Sequence, residues 1–148
     1  QRWQVERAQR WREGHPWEVG ANFSPSTASN QLEMWQASTF DLPTIDRELG
    51  FAAGCGMSVM RVFLHDLVYM EDPEGFLGRV DQYLAAAAKH KITTMFVLFD
   101  GCWCPEGQLG EQPGPLPMVH NSRWLQSPLL KTLRDVDRWG ERLETYVK

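Results

Sequence analysis

An α/β fold is predicted: an N-terminal helix followed by three strand–helix units, their strands parallel in one sheet, forming a single domain over residues 1–148. Two observations carry this. Short runs rich in β-branched and aromatic residues, "SVMRVFLH" and "ITTMFVLFD", alternate with longer segments whose apolar residues recur at helical spacing. Strands that alternate with helices run parallel and are joined by crossovers. Both runs are also apolar at successive positions, the pattern of strands covered on two faces.

The elements follow in order. Residues 1–14 form a helix in which Trp3, Arg7, Arg10 and Trp11 recur, with Gly14 to stop it. After His15-Pro16 the first strand runs from Glu18 to Ser24 and breaks at Ser24-Pro25. The next stretch, "STASNQLEMWQASTFDLP", is polar with scattered aromatics and reads as loop. Pro43 opens a helix carrying Ile45, Leu49, Ala52 and Ala53, closed by Gly54 and Gly56. The second strand covers 58–65. Asp72-Pro73 then caps and starts a helix with Phe76, Val80, Leu84 and Ala88 on its face, reaching His90. The third strand covers 92–100, and a Gly/Pro-rich loop runs from Gly101 to about Ser127. Ser127-Pro128 begins a last helix with Leu129, Leu133, Val136, Leu143 and Val147 turned inward.

Composition narrows the function. The net charge is −4 and no cluster of Lys and Arg among aromatics stands out, which argues against a nucleic-acid partner. No apolar run reaches the roughly 18 residues of a membrane span, and the polar start "QRWQVERAQRW" is not a signal peptide. That start lacks an initiator Met, as in a processed or excised chain. Three cysteines cannot build a disulfide framework and leave at least one thiol free, which fits a reducing, cytoplasmic compartment better than an oxidising one. The seven tryptophans supply flat apolar faces suited to cores, interfaces and sugar clefts alike.

In parallel α/β folds, chemistry gathers at the carboxyl ends of the strands. Those ends hold Asn22 and Ser24, then Arg61, His65 and Asp66, then Asp100. Arg61, Phe63 and His65 share one face by the two-residue alternation, so a guanidinium lies within an apolar strand and needs a carboxylate or a ligand opposite. Asp100 is the expected ion-pair partner if the role is structural. His65 serves equally as a backbone hydrogen-bonding group, Asp66 and Asp100 as loop caps, and Trp103 as loop packing. Asp100, Cys102, Cys104 and His65 or His120 contain metal-ligating atoms, but C-x-C is not zinc-knuckle spacing and no second Cys pair exists, so no metal and no cofactor is expected. A Cys102–Cys104 disulfide would be strained.

At these residues the chain resembles a known family. "VGANFSPSTASNQLEMWQASTFD", "IDRELGFAAGCGMSVMRVFLHDL", "DPEGFLGRVDQYLAAAAKHKITTMFVLFDGCW" and "HNSRWLQSP" are similar to the amino-terminal part of cellulase- and xylanase-like (β/α)8-barrel glycoside hydrolases, over about Trp17 to Val147. The resemblance implies a partial TIM-type barrel that acts on or binds β-linked plant polysaccharide fragments. It also implies a retaining mechanism with two carboxylates, an acid/base after strand four and a nucleophile ending strand seven, neither of which this chain reaches. The supporting positions implied are Arg61, similar to the strand-two arginine that orients the nucleophile, and Asn22, His65, Asp66, Asp100, Trp103, His120 and Asn121 around an oligosaccharide; Trp35 is a further candidate for binding it. Cys104 stands where relatives reading "DSCWDP" carry an acid.

Three strand–helix units cannot close a barrel, which needs roughly 250 residues. Open strand edges and an inner face containing Phe63 and Leu98 are expected to drive homo-oligomerisation or pairing with a complementing barrel segment. Any hydrolysis by the chain alone would fall to Glu33, Asp66 or Asp100. The alternative is a non-catalytic carbohydrate-binding or assembly module with Trp35, Trp103 and Trp124 as platforms.

Overall fold

The computed structural model describes residues 2–135 and 139–148. It is a mixed α/β structure. Strands β1 (Gly20–Phe23), β2 (Val59–Phe63) and β3 (Thr93–Val97) form one parallel sheet in sequential order. Each strand is shorter than the sequence suggests, because the flanking residues turn away to cap helices or enter loops. At the start of β1 the two backbones pass so closely that a Cβ on Gly20 would lie 1.7 Å from the Val59 carbonyl oxygen.

Helix α1 (Val5–Glu13) precedes β1, and α2 (Gln31–Trp35) and α3 (Leu42–Gly54) follow it. Helices α4 (Asp66–Glu71) and α5 (Pro73–Lys89) separate β2 from β3. Beyond the long loop lie α6 (Leu130–Arg134) and α7 (Trp139–Val147).

Helices α3 and α5 start alike and end alike. Asp41 and Asp72 cap them by accepting from the N–H groups of Thr44 and Gly75, with proline in the first turn. A Cβ on Gly75 would strike the Asp72 carboxylate, so glycine is what lets this cap close. At the other end, Gly56 N–H donates to Ala53 and Met57 N–H to Ala52, while Lys91 and Ile92 repeat the pattern on Ala88 and Ala87. These paired bonds need a left-handed residue, and Gly56 (φ 83°) and Lys91 (φ 58°) supply it. The turn redirects each helix into the next strand.

Alternation in the strands sorts the sheet into two faces. Phe23, Val62 and Phe96 stand in one register row facing the helices, where Tyr83 of α5 packs against both phenylalanines. Asn22, Arg61 and Met95 form the row on the opposite face, which is open: Met95 is 57% and Phe99 40% exposed. Leu98 therefore belongs with Phe96 on the helix side, packed against the core, and not on the inner face as expected. Phe63 does lie on that face but is buried beneath Trp124, ring centroids 5.2 Å apart.

Several other expectations need correction. The "loop" after β1 contains α2, whose Gln31, Leu32, Met34 and Trp35 are all buried. The buried face of α5 is Phe76, Arg79, Tyr83, Ala86 and Ala87, whereas Leu84 and Ala88 are exposed. A strict i, i+4 series drifts roughly 40° per step around a helix, so only its first members stay on the core. The final helix is two helices; Leu129 and Tyr146 are buried, Leu133 and Val147 exposed, and Val136 lies outside the described residues. Helix α1 buries none of its residues, and Arg7 sits 4.3 Å over the ring of Trp3. This is an interleaving of Arg and Trp that composition did not reveal. No helix among the described residues is long and apolar enough to cross a membrane.

Trp35 is fully buried among Phe40, Phe76 and Tyr83, and its indole N–H donates to the Phe63 carbonyl at 2.8 Å. W35F keeps most of the ring contact but strips that carbonyl of its donor, for an expected loss of about 1–3 kcal/mol. W35A adds a cavity and is expected to lose about 3–5 kcal/mol; urea unfolding of both variants measures the difference.

Burial also pushes the Tyr83 phenol up to about 12. The folded state thus holds this proton more tightly than the unfolded state, whose phenol titrates near 10. The associated stability is complete below pH 10 and is lost as the pH rises toward 12. Absorbance at the phenolate band, followed together with circular dichroism, should show Tyr83 ionising late and unfolding accompanying it.

Candidate functional site

A cleft of about 500 Å³ opens at the carboxyl ends of the strands. Its floor comes from the sheet: Asn22 and Phe23 of β1, Ser24 just after it, and Arg61 and Phe63 of β2. Its wall comes from the long loop: Asp100, Cys102, Trp103, His120, Asn121 and Trp124. Alternation places Asn22, Arg61 and Phe63 on one face, and chain crossover after β3 brings the loop over that face.

The polar groups of the cleft are held in distinct ways. Arg61 donates from Nη1 to Asn22 Oδ1 at 3.4 Å, and its guanidinium carbon lies 4.5 Å from the Phe63 ring centroid. The Arg61–Asp100 ion pair of a purely structural role is not formed; Arg61 is exposed, bonded to Asn22 and stacked on Phe63. Asp100 faces the loop. One oxygen accepts from the Cys102 backbone N–H at 3.3 Å and the other from the Trp124 indole at 3.2 Å. Its backbone pairs in both directions with Ser127.

Trp103 is 45% exposed and meets the His120 ring edge-on at 5.7 Å. Its φ of 75° is uncommon for a bulky residue, and Asn121 in the same wall has φ 49°. Left-handed backbone at an aromatic residue costs energy and persists where the surroundings dictate it.

Other sequence-predicted residues lie elsewhere. Trp35 is a core residue with no face available to a ligand. Glu33 closes the start of α2: its carboxylate accepts from the Ser29 N–H while its own N–H donates to Asn30 Oδ1. His65 is fully buried and caps α4, Nδ1 accepting from the Leu67 N–H at 3.2 Å while Nε2 bonds the Gln126 carbonyl at 3.1 Å. The proton therefore sits on Nε2, and the contact of Nδ1 with Asp66 Oδ1 at 3.2 Å is not an ion pair. Asp66 is fully buried behind the cleft, accepts from Ser127 Oγ at 3.4 Å, and lies 3.4 Å from Arg142 of α7. Burial, and then this carboxylate, push the nearby Tyr146 phenol up, so it remains the neutral donor to the Leu98 carbonyl.

Cys55, Cys102 and Cys104 are free thiols, and no group of three or more His, Cys, Asp and Glu able to hold a metal ion exists among the described residues.

Sequence reasoning missed the residues that shape the wall. Gln31 of α2, fully buried, donates to the Leu125 carbonyl at 2.9 Å and accepts from the Leu125 N–H at 3.2 Å. Gln36 does the same to Gly110, at 3.1 Å and 2.6 Å. Asn30 adds a bond to the Gln112 side chain. A side-chain amide presents a donor and an acceptor side by side, so each glutamine pairs with a loop residue as a neighbouring strand would. The signal in the sequence was a pair of glutamines flanking Leu32, Met34 and Trp35. A polar residue beside a buried run must find partners.

The chain matches no protein-family model, no curated protein and no solved structure.

Q31L leaves the Leu125 N–H and carbonyl without partners in a buried position. The variant is expected to lose about 2–3 kcal/mol, and hydrogen exchange at Leu125 should accelerate more than at Val62 in the sheet.

Proposed function

We propose that the cleft binds a β-linked oligosaccharide and that the chain acts as the saccharide-binding scaffold of a glycoside-hydrolase-like partial barrel. The observation that carries this reading is convergence. Asn22, Arg61, Asp100, Trp103, His120, Asn121 and Trp124 come from two strands and a long loop, yet they line one cleft. The volume suits a few sugar rings, since small-molecule pockets run from about 300 to 1,000 Å³. A half-exposed indole offers a flat apolar face for a sugar ring, and the amides, hydroxyl and guanidinium offer hydrogen bonds to its rim. The family resemblance supports the same substrate class.

Catalysis needs more than the lining residues provide. Retaining hydrolysis uses two carboxyl groups about 5–5.5 Å apart. Among the described residues Asp100 is the single carboxylate lining the cleft, and both of its oxygens accept hydrogen bonds from the loop. In this proposal the second carboxylate arrives with a complementing segment or another copy of the chain, added at the sheet edges β1 and β3. The engagement of Asp100 favours a second reading, binding without turnover.

Calorimetric titration with xylo- and cello-oligosaccharides of about four to six units tests the binding. Millimolar affinity is expected, weakened about tenfold in W103A by loss of the stacking face. Absence of heat at about 10 mM ligand would overturn the proposal. Hydrolysis of aryl glycosides, assayed on fractions sized by light scattering, separates the two readings: turnover confined to an oligomer supports shared carboxylates, and binding without turnover supports the module.

A further inference from the structure

We infer that Cys102 and Cys104 form a reversible dithiol–disulfide pair that moves Trp103, so that the redox state of the loop sets the shape of the cleft. Both thiols are free and exposed. They flank the half-exposed indole that serves as sugar platform in the saccharide reading above, on which the ligand effect rests. The pair is complete within three consecutive residues.

The spacing permits the bond and makes it labile. Two residues of extended chain span roughly 6.6 Å, near the upper limit of the roughly 4.4–6.8 Å between the Cα atoms of a disulfide. Here the backbone bends at Cys102 and at Trp103, whose φ is 75°, which brings the two cysteines nearer than an extended chain would. A ring closed over one intervening residue stays strained, and strained, exposed disulfides are the readily reduced ones. Such a bond forms under oxidising conditions and opens again when they pass.

Closing the bond displaces one side of the loop. Cys104 is anchored: its N–H donates to the Trp124 carbonyl at 3.2 Å and its carbonyl accepts from the Gln126 N–H at 2.8 Å. Cys102 has one hydrogen bond, from its N–H to Asp100 at 3.3 Å, and Trp103 has none among the described residues. Cys102 lines the cleft, whereas Cys104 lines a smaller pocket beside it and donates from Sγ to the Glu106 carbonyl at 3.1 Å. Bridging draws these sulfurs together, and the movement falls on the loosely held Cys102 and Trp103.

The oxidant is a small-molecule disulfide, here glutathione disulfide. One cysteine thiolate attacks a sulfur of it, displaces one glutathione thiolate and leaves a mixed disulfide. The other thiolate attacks the protein sulfur of that mixed disulfide, forms the Cys102–Cys104 bond and displaces the second glutathione. The protein loses an electron pair and both thiol protons, and the departing glutathiones carry them away as thiols.

The test uses the 148-residue chain with C55S, which leaves only this pair. It is equilibrated with mixtures of glutathione and its disulfide, alkylated, digested and weighed. The expected product is an intramolecular Cys102–Cys104 bridge, opened again by about a hundredfold excess of glutathione. Tryptophan emission should shift on oxidation, and much less so in W103F. Affinity for a xylo-oligosaccharide should fall about tenfold in the oxidised chain. C104S should stop at the mixed disulfide; circular dichroism establishes that each variant is folded.

Mixed disulfides alone in the folded C55S chain would overturn the inference. A bridge that leaves the emission unchanged would overturn the coupling to Trp103. Saccharide binding in neither redox state would overturn the saccharide reading and leave the dithiol pair supported by mass and emission.

Discussion

One indole organises this structure. Trp35 ends a helix of five residues, too short to be stable alone, and it is held at both of its polar ends. Its ring N–H satisfies the last carbonyl of β2, and its own carbonyl accepts from Arg79 Nε at 2.6 Å. Arg79 in turn reaches Asp72, the residue that caps α5. Helix, sheet and second helix are thus joined through bonds that leave few buried polar groups unpaired, while Phe76 and Tyr83 fill the space around the ring.

What this fixes at one end of the sheet reaches the cleft through α2. Once Trp35 is seated, Gln31 and Gln36 sit at the two ends of the same helix, facing the long loop. They hold Leu125 and Gly110 as a strand would hold its neighbour. A loop of this length with no helix or strand of its own would otherwise sample many conformations at large entropic cost. Pinned at these points, and by the Asp100–Ser127 pairing, it presents Trp103, His120 and Asn121 above the sheet. The wall of the cleft depends on core packing beneath it.

The electrostatics of the cleft follow from the same arrangement. Asp100 is drawn into the loop by a backbone N–H and an indole, which satisfies the acid locally. Asp66, the other acid at the strand ends, is buried behind the cleft near Arg142. Arg61 is left on the open face with an aromatic ring below and an amide beside it. Two acids and a base that the sequence places near one another are thus separated into three environments, and only the base keeps its donors available.

The linear pattern was enough to reveal three parallel strands, the two long helices between them and the Asp72 cap of the second, because each of these depends on residues a few positions apart. Asp41, Asp72, Pro43, Pro73 and Gly56 act on their own neighbours, and alternation alone assigns Arg61 and Phe63 to one face. It also drew attention to Asn22, Asp100 and Trp103, and the family resemblance to His120 and Asn121; all five line one cleft. The roles of Trp35, His65, Asp66 and Gln31 were set at long range, by partners 28, 61, 61 and 94 positions away. A tryptophan suited to stacking on a sugar is equally suited to filling a core, and an acid near a strand end is equally suited to catalysis or to burial. Local chemistry is the same in both cases. Only the packed structure, by burying Trp35 and leaving Trp103 half exposed, distinguishes them.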